Sequence, residues 1–473
     1  MHILKKAVIA IALAFPAVAM AQSAQELKIE LDAMKARIKQ LEAMVEAINV
    51  KAATVAATDA ENLTEFNRMK IKTEAIDDQL ETSGLKGFKI SGFVDPTYIY
   101  NQRQNTGSVV FMKNFSDVNG TGAHPSQHAA YAYDNAFFGS ALLRFEKEME
   151  GGTKWLLELM PHKSYGDGGG YNLGSIVHQA TVSIPINGLG NRFLAGQFGS
   201  FAGYEYPGAA GTQSKKTITN NLLFDFFDPT FVSGFGYEHL EGKWDIKALI
   251  GSANNGRVTD RKSPNFHWRV DYAKGEFGGW GASGLHGKMS ATTSVNYLEA
   301  DTYFIRGDLT MQGQVETGIT KSAAFNGGDA KWAGVSGLVA YKITPRLEGI
   351  ARFDFVKNSS NGGGAPSVVF PTCSVPDLVT DPSGATPLNF TCGDYRNGFG
   401  PGIDSATGLV VDPNKGANRN AMTFGLNYAL APNVLLKFEV RRDGSSQTTF
   451  YDVSTQTYKK DNLLVGASAV VSF

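Results

Sequence analysis

Residues 461–473 read Asp-Asn-Leu-Leu-Val-Gly-Ala-Ser-Ala-Val-Val-Ser-Phe, and their side chains alternate between two kinds. A period of two predicts a β-strand, because successive side chains of a strand point to opposite faces. One face is small or polar, with Gly466, Ser468 and Ser472 on it. The other face is wholly apolar and therefore suits a hydrocarbon medium; its residues are Leu463, Val465, Ala467, Ala469, Val471 and Phe473.

The beginning of the chain predicts export. Lys5 and Lys6 precede an apolar run over 7–18, and Ala19-Met20-Ala21 has the small-x-small pattern of a cleavage site. We therefore interpret residues 1–21 as a secretory signal peptide. The run is shorter than the about 18 apolar residues that a spanning helix needs, so any membrane crossing must use strands. An exported chain with a terminal aromatic resembles the Gram-negative outer-membrane barrels, in which Phe473 would be the C-terminal insertion signal.

The composition agrees with such a barrel. The chain has 53 Gly, 42% hydrophobic residues and a net charge of -1. Only alternate residues of a barrel strand meet lipid, so a modest average hydrophobicity is expected. The near-zero charge gives no sign of a nucleic-acid partner. Cys373 and Cys392 lie in one polar loop and are predicted to form a disulfide in an exported protein, with a metal site as the alternative.

Residues 22–83 are charged, rich in alanine, and free of proline and glycine. Apolar residues recur there in steps of three and four, which predicts an α-helical coiled coil of two or three strands. The alternative is an amphipathic helix that folds back on its own chain or on the barrel. The repeating residues are Leu27, Leu31, Met34, Ile38, Leu41, Val45 and Ile48, and then Phe66, Met69, Ile76 and Leu80.

At residue 86 the sequence pattern changes to short segments of alternating polar and apolar residues, which are separated by glycine-rich turns and polar loops. We predict an all-β transmembrane barrel of about sixteen antiparallel strands over 86–473. A soluble β-sandwich or propeller is the alternative. The predicted strands are 86–101, 134–149, 153–163, 175–186, 191–200, 229–241, 242–253, 264–275, 278–289, 297–310, 312–323, 331–344, 346–358, 419–431, 433–443 and 461–473.

The connections between these strands alternate between short and long. Short turns are predicted at 150–152 and 311–313, and long loops at 102–133, 201–228 and 358–419. Short periplasmic turns and long outer loops are typical of outer-membrane barrels. An even strand count places both barrel ends, and hence the coil, in the periplasm. Aromatic residues predicted to form the interface girdles are Trp155, Trp244, Trp268, Trp280, Trp332 and Tyr428.

A barrel of sixteen strands leaves an aqueous lumen. A charge facing lipid costs about 2–4 kcal/mol at the midplane, so the charges of these strands are assigned to the lumen. Their mixed sign predicts a weakly selective pore with a transverse field, or simply paired charges on a wet wall. The predicted pore-lining residues are Arg144, Glu146, Lys243, Asp245, Arg269, Asp271, Arg346, Arg352, Asp354, Lys437, Glu439 and Arg441.

Four segments resemble the OmpL-like porins of Gram-negative outer membranes. They are Gly92-Phe93-Val94-Asp95, Gly196-Gln197-Phe198, Gly203-Tyr204-Glu205 and the stretch 221–237. The N-terminal heptads before a barrel are similar to another porin-like family. The resemblance implies passive diffusion of ions and small hydrophilic solutes, a homotrimer, and contact with membrane lipid and lipopolysaccharide. No Arg/Lys ladder is visible, so phosphate selectivity is not implied.

The third outer loop of porins commonly folds inward and narrows the lumen. If the loop over 201–228 does so here, Lys215 and Lys216 would face anions at the constriction. The alternative is an exposed outer loop.

The sequence contains no G-x-S-x-G, H-E-x-x-H or P-loop pattern, so neither an enzyme nor a cofactor is predicted. Two alternatives to a pore stay open. One is an outer-membrane hydrolase with serine and histidine on one wall. The other is a structural anchor whose coil grips the cell wall or a periplasmic partner.

Overall fold

A computed structural model describes most of the barrel region of the chain. The predicted signal peptide 1–21, the predicted coiled coil 22–83 and Cys392 lie outside the described residues. Within the described part, no helix is long and apolar enough to cross a membrane. The described residues are 87–111, 138–160, 176–199, 201–205, 215–227, 231–252, 264–273, 277–288, 294–363, 372–373, 390–391, 399–406 and 410–473.

These residues form 22 strands, one short α-helix (α1, Leu222–Phe226) and a 3₁₀ turn at Glu150–Gly152. Strands β1 to β8 are Phe88–Val94, Thr97–Asn101, Thr106–Val110, Ala141–Glu148, Lys154–Leu159, Val177–Pro185, Asn191–Gly199 and Phe231–Glu241. Strands β9 to β15 are Trp244–Ser252, Asn265–Ala273, Gly278–Lys288, Ser294–Arg306, Leu309–Thr320, Ala330–Thr344 and Leu347–Lys357. Strands β16 to β22 are Thr372–Cys373, Phe390–Thr391, Arg419–Ala431, Val434–Ser445, Phe450–Asp452, Thr457–Lys459 and Asp461–Ser472.

These strands make a closed antiparallel wall of sixteen strands, which confirms the predicted barrel. β1 and β2 act as one wall strand, followed by β4 to β15, β18, β19 and β22. The first wall strand is interrupted at Asp95 and Pro96, because proline has no N–H for the ladder. At the interruption, Asp95 and Ser140 replace the ladder: the Asp95 N–H donates to Ser140 O over 2.9 Å, and the Ser140 N–H donates to the Asp95 carboxylate.

The barrel closes by pairing its last strand with its first. Phe93 lies opposite Ser472, and Thr97 lies opposite Ser468. At the very end of β22, Gly92 and Phe473 exchange both backbone hydrogen bonds, each 3.0 Å long. The Phe473 ring packs over Gly92 on the outer face, where it is 69% exposed. The terminal aromatic therefore completes the closing seam.

The outer face carries exposed apolar side chains, as lipid requires. Trp244, Tyr272 and Trp280 cluster on it beside the short turn after β8, with ring centroids 4.7 to 5.9 Å apart. Such a cluster is typical of an interface girdle. Trp332 was assigned to a girdle, and that prediction was wrong. Its side chain lies on the inner face, 3% exposed, because Gly318 leaves room for its ring.

Some turns and loops differ from the sequence prediction. The turn predicted at 311–313 lies instead at Gly307-Asp308, where Gly307 adopts a φ of 59° that suits glycine. The long loop after the first wall strand contains β3, which pairs with β2. In the loop over 358–419, Cys373 pairs with Phe390 in the β16–β17 ladder. Because Cys392 lies outside the described residues, the disulfide stays a prediction.

Replacing Gly92 with leucine should weaken barrel closure. A Cβ at this position would lie 2.4 Å from Leu142 O and 2.8 Å from the Phe473 ring. Such overpacking costs about 1–3 kcal/mol. We expect a lower urea midpoint and less of the heat-modifiable folded band on cold gels. Gly337→Leu is the control, because nothing lies within 4 Å of a Cβ there; equal losses in both variants would contradict the closing role.

Candidate functional site

The loop that follows β7 runs into the barrel instead of outward. Its described parts, 201–205 and 215–227, are largely buried against the inner face. Tyr204 is 7% exposed and its hydroxyl lies 2.6 Å from Ser336 Oγ on β14. Ile218 packs with Ile99 on β2 and Leu464 on β22, near the closing seam. The third outer loop therefore folds inward, which is the first of the two arrangements left open by the sequence.

The apolar end of this loop explains why it stays inside. Leu222 to Phe226 form α1, and all five residues are buried. Asn221 caps the helix, because its side chain accepts hydrogen bonds from Leu223 N and Phe224 N at 2.9 and 2.8 Å. A Cβ at Gly334 would lie 2.3 Å from Leu223 Cδ2, so this glycine leaves the space into which Leu223 packs.

Arg352 on β15 holds the polar part of the loop. Its guanidinium donates to Thr217 Oγ1 at 2.6 Å, to Thr219 O at 2.8 Å and to Asn220 O at 2.7 Å. It also forms an ion pair with Glu205 at 3.1 Å. All the described contacts of Arg352 lie inside the barrel, and the residue is 2% exposed. Arg352 therefore holds the loop in place and does not line an open passage.

Strand β19, which is separated from β15 by β18, holds the same loop segment. The Ile218 N–H donates to Glu439 Oε2 at 2.5 Å, and Arg441 donates to Asn220 O at 2.7 Å. Lys437 Nζ donates to Lys215 O at 2.5 Å. Three charges predicted to line the pore thus bind the backbone of the loop.

Lys215 and Lys216 do not stand as exposed cations at a constriction. Lys216 Nζ forms an ion pair with Glu348 at 2.7 Å, which neutralises its charge. Lys215 is 6% exposed, and its Nζ has no hydrogen-bond partner among the described residues. The loop places both lysines against the wall of β15, β18 and β19.

The wall of β9 to β12 is also internally paired. Arg269 binds Asp271 at 2.7 Å and Asp301 at 2.6 Å, and it donates to Phe201 O at the start of the loop at 2.6 Å. Lys247 on β9 pairs with Asp245. The alternating charges therefore neutralise each other on this side of the lumen.

Some of the charged residues that were predicted to line the pore lie on wall strands. The most exposed of these are on β4. The Arg144 and Glu146 side chains are 34% and 39% exposed and form an ion pair at 2.6 Å. Arg144 also contacts the buried Glu158 at 3.1 Å, and His178 Nδ1 lies 2.9 Å from the same carboxylate. Lys243 and Arg346 are exposed as well and lie in short turns outside the wall strands, so their place in the pore lining stays a prediction.

The family model described as "Putative beta-barrel porin-2, OmpL-like" matches residues 87–473. The chain belongs to this family. It is an outer-membrane porin, which lets ions and small hydrophilic solutes pass by passive diffusion through its barrel. No curated relative matches the chain.

Several solved porin structures are similar to this porin in fold. The outer-membrane channel DcaP of Acinetobacter baumannii is 13% identical, with a TM-score of 0.48 over 82% of this chain and 97% of that one. An anion-selective porin from Comamonas acidovorans is 10% identical, with a TM-score of 0.46 over 82% and 99%. The trimer form of OmpT from Vibrio cholerae is 10% identical, with a TM-score of 0.47 over 82% and 99%.

Sequence reasoning missed the loop residues that the wall arginines of this porin bind. Glu205, Thr217, Thr219 and Asn220 accept those hydrogen bonds. One signal was available, namely the apolar run over 222–227 inside a loop of polar residues. Such a run predicts burial, because an outer loop would leave it in water.

Removing the Arg352 clamp should loosen the loop. In Arg352→Met, Glu205 and Asp354 lose their buried partner, which costs about 3–5 kcal/mol. We expect larger and noisier single-channel steps in planar bilayers, together with a lower urea midpoint. Arg306→Met is the matched control, because Arg306 is exposed at the end of β12. Unchanged steps from a folded Arg352→Met barrel would contradict the clamp.

Proposed function

We propose that this porin conducts through a restricted passage along β4 to β8, with the inward loop filling the rest of the lumen. The observation that carries the proposal is the contrast in exposure along the inner wall. Arg144 and Glu146 are about one-third exposed, whereas Arg352 and Arg441 are 2% and 0% exposed. Beside the first pair, the inner faces of β6 and β7 carry half-buried residues with small side chains, such as Ser183 and Gly196.

Two properties follow from such a passage. Its cross-section is smaller than a sixteen-strand barrel would give when empty, so conductance is low and only small hydrophilic solutes pass. Arg144 and Glu146 are one cation and one anion in contact, so their combined field along the passage is weak. The proposal therefore includes weak ion selectivity and does not include a catalytic step.

The proposal extends to the parts of the chain around the barrel. After removal of residues 1–21, residues 22–83 form a coiled coil in the periplasm, since β1 and β22 begin and end at the side of the short turns. The heptads support a homotrimer. A disulfide between Cys373 and Cys392 closes the longest outer loop.

Single-channel recording in a salt gradient tests the passage. Discrete steps are expected, with a reversal potential close to zero. Arg144→Gln should shift the potential towards cation selectivity and Glu146→Gln towards anion selectivity, because each removes one sign of charge from the passage. The matched controls are Arg346→Gln in a short turn and Glu241→Gln at the end of β8, which neutralise exposed groups beside the short turns. A folded barrel that shows no conductance steps would contradict the proposal. The hydrolase and the anchor would then be tested.

Deleting residues 22–83 while keeping the signal peptide separates the pore from the anchor. A pore keeps its step size without the coil, whereas an anchor loses its attachment to the cell wall. We expect unchanged steps from each barrel and a smaller share of trimer on size-exclusion chromatography. Loss of wall attachment with no conductance in either form would favour the anchor.

A further inference from the structure

A group of exposed apolar side chains lies at the short-turn end of β4 and β6. Its members are 40% to 65% exposed. We call them the periplasmic patch: Met149, Ile184, Ile186 and Leu189. The turn after β4 touches the turn after β6, because a Cβ at Gly152 would lie 2.5 Å from Leu189 Cδ2. A continuous exposed apolar surface of this kind indicates a contact with another segment or molecule.

The periplasmic patch extends past the aromatic girdle. Trp155 packs against another aromatic ring of the outer face, and its ladder partners are Lys147 and Val182. Towards the short turns, Met149 lies two residues beyond Lys147. Ile186 lies four residues beyond Val182. These steps extend about 7–14 Å along a strand, or about 5–10 Å along the membrane normal at a tilt of about 40°. Met149 and Ile186 therefore lie beyond the girdle, where lipid does not cover them.

The chain enters the barrel directly beside this patch. Gly87 is the first described residue, and a Cβ there would lie 3.2 Å from the backbone oxygen of Glu148, the neighbour of Met149. From β1 to β6 the wall runs through β4 and β5, which is a distance of about 14 Å. Leu80 precedes Gly87 by seven residues, and seven extended residues reach about 23 Å. The chain is therefore long enough to bring Leu80 onto the patch.

The sequence before the barrel predicts a helix that needs an apolar partner. Its apolar residues share one face of that helix and are Phe66, Met69, Ile76 and Leu80. Gly84 predicts the end of the helix. Asp59 and Asn62 separate this stretch from the heptads over 27–48, so it holds only about two heptads. A coiled coil needs about three to four, and a short helix is stable in water only when its apolar face packs.

The charges beside the patch agree with the approach of this helix. Residues 74–81 carry four acids and no base. Lys147 lies two residues from Met149 on the same outer face of β4. The acidic end of the helix is the end nearest to the barrel in sequence, so it meets a cation where it reaches the patch.

We propose that the helix predicted over 66–83 folds back and docks on the periplasmic patch of its own chain. Ile76 and Leu80 then pack against the patch, which removes its apolar surface from water. The heptads over 27–48 stay available for the coil, which starts from a fixed base on the barrel. The inference rests on the periplasmic position proposed for residues 22–83, and it does not depend on conduction.

Cysteine pairs in the full-length porin test the docking. The background carries Cys373→Ser and Cys392→Ser, so that only the introduced thiols react. Leu80→Cys with Leu189→Cys should form a disulfide within one chain on oxidation. Asp78→Cys with Leu189→Cys is the matched control, because Asp78 lies on the opposite face of the predicted helix. We expect the first pair to form about tenfold faster, because a disulfide requires Cα atoms about 4.4–6.8 Å apart.

Peptide mass spectrometry identifies the bond after each variant has been checked for the heat-modifiable folded band. Equal rates for the two pairs, or no disulfide in either, would overturn the proposal, because no fixed face of the helix would then meet the patch. A disulfide between two chains would also overturn it, since the helix of a neighbouring copy would cover the patch.

The position on which the inference rests is measured separately. In the same cysteine-free background, Leu80→Cys should react with a PEG-maleimide too large for the pore only after the outer membrane has been permeabilised. Reaction in intact cells would contradict the periplasmic position and the docking together. A barrel without conductance steps would contradict the proposed passage and leave the docking result unchanged.

Discussion

The hydrocarbon layer offers no hydrogen bonds, so every backbone N–H and C=O within it must pair inside the protein. A sheet satisfies that requirement only when its last strand pairs with its first. In this porin the pairing of β22 with β1 and β2 meets it, down to the two bonds between Gly92 and Phe473. A closed barrel of sixteen strands has a wide interior, and the rest of the structure determines what fills that interior.

Charge pairing decides how the interior is filled. Alternation forces each strand to turn its charged residues inward, and a buried guanidinium left without partners is strongly destabilising. Arg352 and Arg441 meet this need with carbonyl oxygens of the loop, while Arg269 meets it with Asp271 and Asp301. The loop is therefore held by the same charges that a lipid environment expels from the outer face. Wall and loop therefore stabilise each other.

The period of two was enough to predict the sixteen wall strands and the side of the wall on which Asp245, Arg269 and Arg352 lie. Alternation is a local property, so it can be recognised without the fold. Trp332 was assigned to the outer face because apolar side chains of a barrel strand usually face lipid. It lies on the inner face because α1 and Phe227, which are distant in sequence, cover it there, and no local pattern shows such a cover. The contacts of Arg352 with Thr217 and Asn220 join residues more than 130 positions apart, and no local pattern records them.

The mixed-sign inner rows show why a charge pattern alone does not define a pore. From sequence, alternating acids and bases predicted either a transverse field or paired charges on a wet wall. The structure favours pairing over most of the wall, because the loop packs against β14, β15, β18 and β19 and brings its own acceptors. On β4 the same alternation leaves Arg144 and Glu146 about one-third exposed. In the proposed passage, selectivity is therefore set by the charges that the loop leaves exposed, and not by the charge pattern of the whole wall.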